Sequence, residues 1–443
     1  SLNPYNPEYY NEKGKALTEL GRYREAIVEF DKALQLDPNY SIAHINKGYA
    51  LFRLGQYEDA IKEVDEAIRL EPQNPSYYVV KGSFLLGLKL YDEAIIEFDK
   101  AIQIDPNADM AYYDKGLALF SLKRYNEAVK EFDNAIRLKP DNPNYHYYKG
   151  LALIKLRLYN DAIIEFDETI RLDPNYAVAY YNKALALYEM GMNSDAVREI
   201  DNAIMINPYN PDYHMLKGNI LKALGRVEEA RQEFEKAVEL YNEEISLDPN
   251  NPEYHSNKAF VLSELGLYEE ALEEYDNAIR LNPSSPSYHS AKSLLLYTIK
   301  RYTEALREID EAIKLYNSAD YHFQKAFILY EMGQYSEALR EIDEAIRLDP
   351  HNQVYYNLRN NIIKYVPNYT PPSRSMIATT STSWDPRIWV GKTLLIYKIV
   401  DVIDEGGNGY VLKGISPSND EVAIKVLKIQ QGMPEEYFDT LIK

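Results

Sequence analysis

The chain has 443 residues and a formal net charge of −20, and almost all of that charge falls in residues 1–365. It has no cysteine, which excludes disulfide bonds and thiolate metal sites, and its apolar runs are far shorter than the roughly 18–20 residues that span a bilayer. An acidic surface of this size repels nucleic-acid phosphates and anionic lipid, so we expect protein or peptide partners, with no nucleic acid and no membrane. The expected setting is the cytoplasm.

A 34-residue repeat dominates residues 1–365. Its marker is a helix-ending proline, with one interval of 41 residues and an asparagine in the last unit. The ten repeats start near Pro4, Pro38, Pro72, Pro106, Pro140, Pro174, Pro208, Pro249, Pro283 and Asn317. After Pro350, "NQVYYNLRNNIIKYV" predicts one further helix over 352–365 that caps the array. Leu2–Pro4 has the form of a repeat end, so we expect the chain to begin within an array.

Each repeat predicts two amphipathic helices, because apolar residues recur at spacings of three and four. A turn such as "LGRY" separates the two helices, and "DPN" ends the second one. One position of the second helix is alanine in every repeat: Ala26, Ala60, Ala94, Ala128, Ala162, Ala196, Ala230, Ala271, Ala305 and Ala338. Six first helices carry a glycine that predicts close helix packing: Gly14, Gly48, Gly82, Gly116, Gly150 and Gly218.

This pattern of length, glycine, tyrosine, alanines and terminal proline resembles the tetratricopeptide repeat (TPR) family over residues 4–365. The resemblance implies an all-α superhelix of ten helix-turn-helix repeats plus a capping helix, with a concave groove lined by the first helices. Such repeats bury their apolar faces only against their neighbours.

The seventh repeat holds seven extra residues between Ala237 and Pro249. Seven residues make two helical turns, so the second helix can lengthen without rotating its buried face. Two interpretations stay open: a tolerated extension, or a local change of pitch or projecting rib that a partner touches.

A lysine precedes the glycine position in every repeat: Lys13, Lys47, Lys81, Lys115, Lys149, Lys183, Lys217, Lys258, Lys292 and Lys325. The second helix has three positions that are acidic throughout, as at Glu25, Glu29 and Asp31. The sequence predicts ion pairs between these lysines and acids, and a lysine-lined recognition surface is the alternative. One further position is shared by six histidines and by tyrosine elsewhere, which predicts aromatic packing with a polar tip: His44, His146, His214, His255, His289 and His322.

The resemblance also implies a partner groove, because ligands of the family usually contact first-helix residues two before, two after and five after that lysine. The candidate groove residues are Ile45, Tyr49, Phe52, Tyr113, Leu117, Phe120, Tyr147, Leu151, Ile154, Tyr181, Leu185, Tyr188, Phe323, Phe327 and Tyr330. They are aromatic or aliphatic, so we expect an apolar, aromatic or basic peptide, or a segment of the protein's own kinase domain. The alternative is that part of this set is inter-repeat core.

Residues 366–387 are rich in Pro, Ser and Thr and predict a linker. Beyond it, "VIDEGGNGYVLKG" and "EVAIKVLKI" in residues 388–443 resemble the β-rich N-lobe of a eukaryotic-type protein kinase, here short and incomplete. The resemblance implies an ATP site with glycines against the phosphates, Val411 against adenine and Lys425 on the α- and β-phosphates. Its residues are Gly406, Gly407, Gly409, Val411, Ala423 and Lys425, and Asp404 stands where the family has its first glycine.

The catalytic loop, the metal-binding D-F-G and the glutamate partner of Lys425 are not in this sequence. The chain is therefore expected to be inactive alone, with no complete catalytic set, no metal and no cofactor of its own, while a complete parent would use ATP and Mg²⁺. The sequence predicts the scaffold and regulatory region of a TPR-containing serine/threonine kinase. The alternative is a non-enzymatic adaptor with a vestigial kinase-like tail.

Overall fold

The computed structural model describes residues 5–366 with their side chains, and the backbone of residues 393–394, 397–406, 409–415 and 421–427. The chain divides into two compact units, Ser1–Pro283 and Ser284–Lys443. This division falls within the predicted array, between its eighth and ninth repeats. The predicted linker lies outside the described residues except for Val366.

The first unit consists of eight helical hairpins. The first helices have 13 residues each and are α1 (Pro7–Glu19), α3 (Ser41–Arg53), α5 (Pro75–Gly87), α7 (Asp109–Ser121), α9 (Pro143–Lys155), α11 (Ala177–Glu189), α13 (Pro211–Ala223) and α15 (Pro252–Glu264). The second helices are α2 (Tyr23–Leu36), α4 (Tyr57–Leu70), α6 (Tyr91–Ile104), α8 (Tyr125–Leu138), α10 (Tyr159–Leu172), α12 (Asn193–Ile206), α14 (Val227–Leu247) and α16 (Tyr268–Leu281). All have 14 residues except α14, which has 21.

The second unit contains two more hairpins, a further helix and a sheet. Its helices are α17 (Pro286–Thr298), α18 (Tyr302–Leu315), α19 (Ala319–Glu331), α20 (Tyr335–Leu348) and α21 (Gln353–Ile362), followed by a 3₁₀ turn at Ile363–Tyr365. The predicted helical repeats are confirmed, and the last helix lies within the predicted 352–365. Among the described residues, none of the helices combines the length and apolarity that a bilayer crossing requires.

Local sequence sets the limits of the helices. Several first helices begin with Asn-Pro, as at Asn74 and Pro75, where the asparagine side chain accepts a hydrogen bond from the backbone N–H of Ser76 at 3.2 Å. The turn inside each hairpin contains a residue with positive φ, and glycine fills it six times, for example Gly55 at 80°. Lys89, Lys123, Arg157 and Lys300 take the same left-handed conformation without the freedom of glycine.

A small residue on the first helix leaves space that a side chain of the second helix fills. A Cβ placed on Gly116 would lie 2.5 Å from the ring of Phe132, and Gly82 meets Phe98 in the same way. The ring of the second helix therefore fills the space that a side chain would occupy. The predicted close approach is confirmed; an aromatic ring causes it at five of the six glycines, and at Gly48 the Ala60 carbonyl oxygen at 3.1 Å and the Val64 side chain at 3.2 Å do so.

Four strands form one antiparallel sheet in the order β1-β2-β3-β4. They are β1 (Thr393–Leu394), β2 (Tyr397–Gly406), β3 (Gly409–Ile415) and β4 (Glu421–Leu427). Gly406 pairs with Gly409 where β2 turns into β3, and Val411 on β3 pairs with Lys425 on β4.

Candidate functional site

The first helices form one continuous face within each unit. In the first unit α1 touches α3, α3 touches α5, and this series continues to α13. In the second unit α17 touches α19, and α19 touches α21. Side chains at equivalent positions of successive repeats therefore lie side by side. We call this surface the first-helix face.

All fifteen predicted groove residues lie on first helices, and none of them is fully buried. Tyr49 and Phe327, both two residues after the lysine, keep 44% and 36% of their surface exposed. The other thirteen are partly buried. These apolar side chains thus remain accessible on the first-helix face.

The same side chains also pack between repeats. The rings of Tyr113 and Tyr145 lie 4.8 Å apart, centroid to centroid, and those of Tyr181 and Tyr213 lie 5.3 Å apart. In the second unit Phe323 lies 5.2 Å from Tyr355. Each ring therefore packs in the core between repeats on one side and lies on the first-helix face on the other. The interpretations of these residues as a partner groove and as inter-repeat core are thus not exclusive.

Sequence reasoning missed several residues of this face. Tyr148 contacts the ring of Tyr113 at 5.7 Å, and Tyr176 contacts that of Tyr147 at 5.0 Å. Asp114 lies close to Tyr113 on the same helix, and its Oδ2 atom lies 2.9 Å from the Ser83 hydroxyl, whose single proton is shared with the Val79 carbonyl oxygen at 2.8 Å. Burial raises the pKa of the Asp114 carboxyl to about 6, and the Ser83 hydrogen bond offsets only part of this effect. In the sequence Asp114 was one of many acids, and no spacing distinguished it.

The lysines form the predicted ion pairs, and most of them do so with two carboxylates. Lys47 Nζ lies 2.6 Å from Glu63 Oε1 in its own hairpin and 2.8 Å from Asp31 Oδ1 in the preceding hairpin. The same double pairing occurs at Lys81, Lys115, Lys149, Lys183, Lys217 and Lys325. We call this series the lysine ladder. Since these ammonium groups are already paired, the alternative of a lysine-lined recognition surface loses its support.

The histidines make specific hydrogen bonds in addition to packing. The Nδ1 atom of His44 lies 2.6 Å from Glu63 Oε2, and its Nε2 atom lies 3.2 Å from the carbonyl oxygen of Pro38. His146, His214 and His255 repeat both contacts, and His289 and His322 repeat the contact to glutamate. Burial lowers the pKa of His44, but its hydrogen bonds to Glu63 and Pro38 outweigh burial and raise that pKa above its ordinary value. The prediction of packing alone was therefore incomplete.

Two repeats with tyrosine at this position show what the histidine supplies. In the repeat of Tyr78, the tyrosine hydroxyl donates to the carbonyl oxygen of Pro72 at 3.1 Å. Glu97 Oε1 accepts from Lys100 at 2.9 Å, but its Oε2 atom is buried without a hydrogen-bond partner among the described residues. Glu29 Oε2 is in the same condition in the repeat of Tyr10. The histidine side chain thus satisfies a carboxylate oxygen that stays unpaired in these two tyrosine repeats, whereas in the repeat of Tyr112 Asn134 donates to Glu131 Oε2 at 3.3 Å.

The predicted ATP-site residues fall on the sheet, where the structure gives backbone positions. Gly406 ends β2, Gly409 begins β3, and Gly407 lies outside the described residues. Val411 is directly opposite Lys425, and Ala423 is opposite Lys413. The described residues that the kinase resemblance assigns to adenine and phosphate thus lie on three successive strands, β2, β3 and β4.

Sequence profiles of known families match most of the helical region. Profiles described as "Tetratricopeptide repeat" match residues 17–81, 75–108 and 319–352. A profile described as "TPR repeat" matches residues 116–156, 225–266 and 261–300.

A known kinase and several solved structures are similar to parts of this chain. The serine/threonine-protein kinase ArnS of Sulfolobus acidocaldarius is 35% identical over 91 residues, which are 20% of this chain and only 13% of that kinase. The structure of human IFIT1, a dimer with m7Gppp-AAAA, has a TM-score of 0.52 and 15% identity, covering 83% of this chain and 92% of that one. Yeast Tom70 has a TM-score of 0.40 and 14% identity, covering 82% and 96%. IFIT1 is similar in fold alone.

Proposed function

We propose, on the premise that this chain is a tetratricopeptide-repeat protein, that it is a protein-interaction scaffold whose first-helix face binds peptide segments. We further propose that it is the regulatory region of a protein that phosphorylates serine or threonine with ATP. The observation that carries the first proposal is the accessibility of the fifteen apolar side chains on the first-helix face.

An accessible row of aromatic and aliphatic side chains favours an extended peptide as the ligand. Aromatic rings supply large contact areas at low conformational cost and dominate the energetics of interfaces. The rings on this face are also held by neighbours, as Tyr147 is by Tyr176 at 5.0 Å, so little order is lost on binding.

The experiment selects peptides from a random 12-residue library displayed on phage, with the whole chain as the target. We expect peptides with apolar residues to be enriched, and we expect Tyr49→Ala and Leu117→Ala, both in the first unit, to weaken the binding of peptides selected on that unit by about tenfold each. The matched control is Ile164→Ala on α10, which removes an apolar side chain that is 62% exposed on a second helix and should leave binding unchanged. Equal losses for all three variants, or no enrichment, would refute the first-helix face as the binding surface.

The kinase proposal is supported by the glycine-rich and V-A-I-K segments, by the pairing of Val411 with Lys425, and by the short match to ArnS. Gly406 and Gly409 at the β2–β3 turn are suited to close approach by phosphates, and Lys425 to their charge. ATP supplies the phosphoryl group when bound, and these residues would hold it. The base and metal ligands would come from the rest of the parent protein.

The test uses the full-length protein from the natural gene with radiolabelled ATP and a general protein substrate. We expect labelled phosphate on serine or threonine, a loss of at least about 100-fold for Lys425→Ala, and little change for Lys428→Ala. A full-length protein without transfer activity would favour the second candidate, a non-enzymatic adaptor. Asp404 stands where the family has its first loop glycine, and this departure is the observation that supports the non-enzymatic adaptor.

A further inference from the structure

We propose that Asp114 is the anchor on the first-helix face for a lysine or arginine side chain of the bound peptide. This inference rests on the proposed function and adds the chemistry of one residue of the ligand. The occupant is an extended peptide that presents one cation between apolar residues.

Asp114 belongs to α7 and directly precedes a lysine of the ladder, Lys115. That lysine does not neutralise Asp114, because its Nζ atom lies 2.8 Å from Asp99 and 2.9 Å from Glu131. In the part of the chain with described side chains, the hydrogen-bond partner of Asp114 is the Ser83 hydroxyl, and no lysine or arginine pairs with its carboxylate. The Asp114 carboxylate thus has a hydrogen-bond partner, but no neighbouring cation balances its negative charge among the residues with described side chains.

Neighbouring residues exclude water from the Asp114 carboxylate. The Ser83 hydroxyl replaces only part of the hydration that the charge loses. Burial raises the pKa of Asp114 to about 6, so the carboxylate is ionised at neutral pH at a cost in solvation. A carboxylate in such surroundings attracts a cation more strongly than an exposed one does. A bound ammonium or guanidinium would recover part of this cost.

The aromatic residues around Asp114 suit the remainder of a cationic side chain. Tyr113 and Tyr145 lie 4.8 Å apart, and Tyr148 lies 5.7 Å from Tyr113. Burial above all raises the pKa of the Tyr113 and Tyr145 hydroxyls; the Tyr145 hydroxyl donates to Asp109 Oδ2 at 2.6 Å, which raises its pKa further, and the Asp114 charge adds a smaller contribution at both tyrosines. Tyrosine faces bind the methylene stem and the charge of lysine or arginine.

The equivalent positions of other repeats show that Asp114 is a departure from the pattern. Asn46 donates to Asn11 at 2.8 Å, Asn182 to the carbonyl oxygen of Val178 at 2.8 Å, and Asn257 to Asp212 at 3.3 Å. These neutral amides bond within the array. Glu12, the other acid at this position, is exposed and pairs with Lys15 at 3.0 Å.

Charge complementarity selects a basic ligand over a neutral one. The chain carries a formal charge of −20, and the ammonium groups of the lysine ladder are paired with acids. A cationic peptide would be steered toward this surface, and its one charge would meet the uncompensated carboxylate. An anionic peptide would meet repulsion at the same place.

The test repeats the phage selection with the whole chain and with Asp114→Asn. Asparagine keeps an oxygen that can accept from Ser83, so this variant removes the charge and retains the shape. Fluorescence anisotropy then measures the most enriched peptide and its version with glutamine in place of the lysine or arginine. Ser83→Ala is the matched control, because it removes the hydrogen bond and leaves the carboxylate.

We expect lysine or arginine at one fixed position of the selected peptides, and a loss of at least about tenfold in affinity for Asp114→Asn. The glutamine peptide should lose the same factor on the wild-type chain and nothing more on Asp114→Asn. Ser83→Ala should keep the preference for a cation. Selected peptides without a fixed cation, or binding to Asp114→Asn within about twofold of wild type, would overturn the anchor while leaving the peptide scaffold intact. Failure to select any peptide would overturn the scaffold proposal itself.

Discussion

A histidine with a hydrogen-bond acceptor at each ring nitrogen is the most informative single residue of these repeats. His44 faces the Glu63 carboxylate with Nδ1 and the Pro38 carbonyl with Nε2. A carbonyl oxygen and an ionised carboxylate cannot donate, so both contacts are satisfied together only by the doubly protonated ring. Lys47, Asp31 and Glu66 are the other charges near this ring. Because histidines with the same contacts recur along the array, we expect its stability to depend on pH.

The free energy of unfolding of the array is expected to fall as the pH rises above neutrality. The pKa of His44 and of His146 is raised by their bonds to Glu63 and Glu165, so this stabilisation is complete below about pH 6.5 and is lost as the pH rises through the folded-state pKa values. The pKa of Glu63 is lowered because the bonds from His44 and Lys47 outweigh burial, so its contribution is lost only as the pH falls below its ordinary value of 4.5. Thermal melts should therefore show a maximum at about pH 5 to 6.5.

The chain itself offers the control for this pH dependence. Tyrosine occupies the same position at Tyr78 and bonds to the corresponding proline carbonyl. The variant His44→Tyr with His146→Tyr should fold and should show a smaller drop in melting temperature between about pH 6 and pH 8.5 than the wild type. An unchanged drop would mean that other groups cause the pH dependence.

At the level of the element, eight of the ten described hairpins are built around a matched pair of residues 16 positions apart. Five hairpins pair a glycine with phenylalanine: Gly14 with Phe30, Gly82 with Phe98, Gly116 with Phe132, Gly150 with Phe166 and Gly218 with Phe234. Where alanine or serine replaces the glycine, isoleucine replaces the ring in three hairpins: Ala184 with Ile200, Ser293 with Ile309 and Ala326 with Ile342. In these eight hairpins the two helices exchange volume, which is the behaviour of a close-packed interior, whereas Gly48 with Val64 and Ala259 with Tyr275 depart from this pattern.

Gly116→Ala is expected to lower the free energy of unfolding, and Phe132→Ile is expected to restore most of the loss. The added Cβ would lie 2.5 Å from the ring, and overpacking of this kind costs about 1–3 kcal/mol, less about 1 kcal/mol because alanine favours the helix. Isoleucine recreates the pair that Ala184 and Ile200 already form. Denaturant titration of both single variants and the double variant gives the coupling energy. Strictly additive effects would argue against volume exchange.

At the level of the whole molecule, the extended helix α14 breaks the 34-residue period, yet its extra residues still contribute side chains to the core. Leu240 and Tyr241, both within the seven extra residues, are each 1% exposed. The Tyr241 hydroxyl donates to Asp212 Oδ1 at 2.5 Å, and Asn257 of α15 donates to the same atom at 3.3 Å. The extra turns thus bury one face between neighbouring hairpins, while Glu239, Asn242 and Glu243 stay exposed on the other, so both earlier interpretations of the extension stay open.

Deletion of residues 238–244 restores the common repeat sequence, yet we expect it to destabilise the first unit. It removes two buried side chains and the bond to Asp212, a loss of about 2–4 kcal/mol by analogy with large-to-small core changes. Tyr241→Phe, which keeps the ring and removes only the hydroxyl, should cost about 1 kcal/mol. Chemical unfolding followed by circular dichroism measures both variants. A deletion variant as stable as the wild type would identify the extension as merely tolerated.

The sequence predicted more of the fold than of the site. The 34-residue period, with Ala26 and its equivalents, was sufficient to place two helices in every repeat, because local spacing determines amphipathic helices. The pairing of Lys47 with Glu63 also followed from the pattern, whereas its second bond to Asp31 depends on how hairpins stack. The burial of Asp114 could not be predicted, because the aromatic rings around it come from two repeats. The ATP-site residues remain a prediction.

The lysine ladder makes the contacts between hairpins respond to ionic strength. Within a hairpin, Lys149 is bonded to Glu165, whose side chain is 13% exposed, while between hairpins it is bonded to Asp133, which is 52% exposed. Salt screens exposed charges more than buried ones, so the bond between hairpins is expected to weaken first as ionic strength rises. The electrolyte around the protein is therefore expected to act on the contacts between repeats more than on the hairpins themselves.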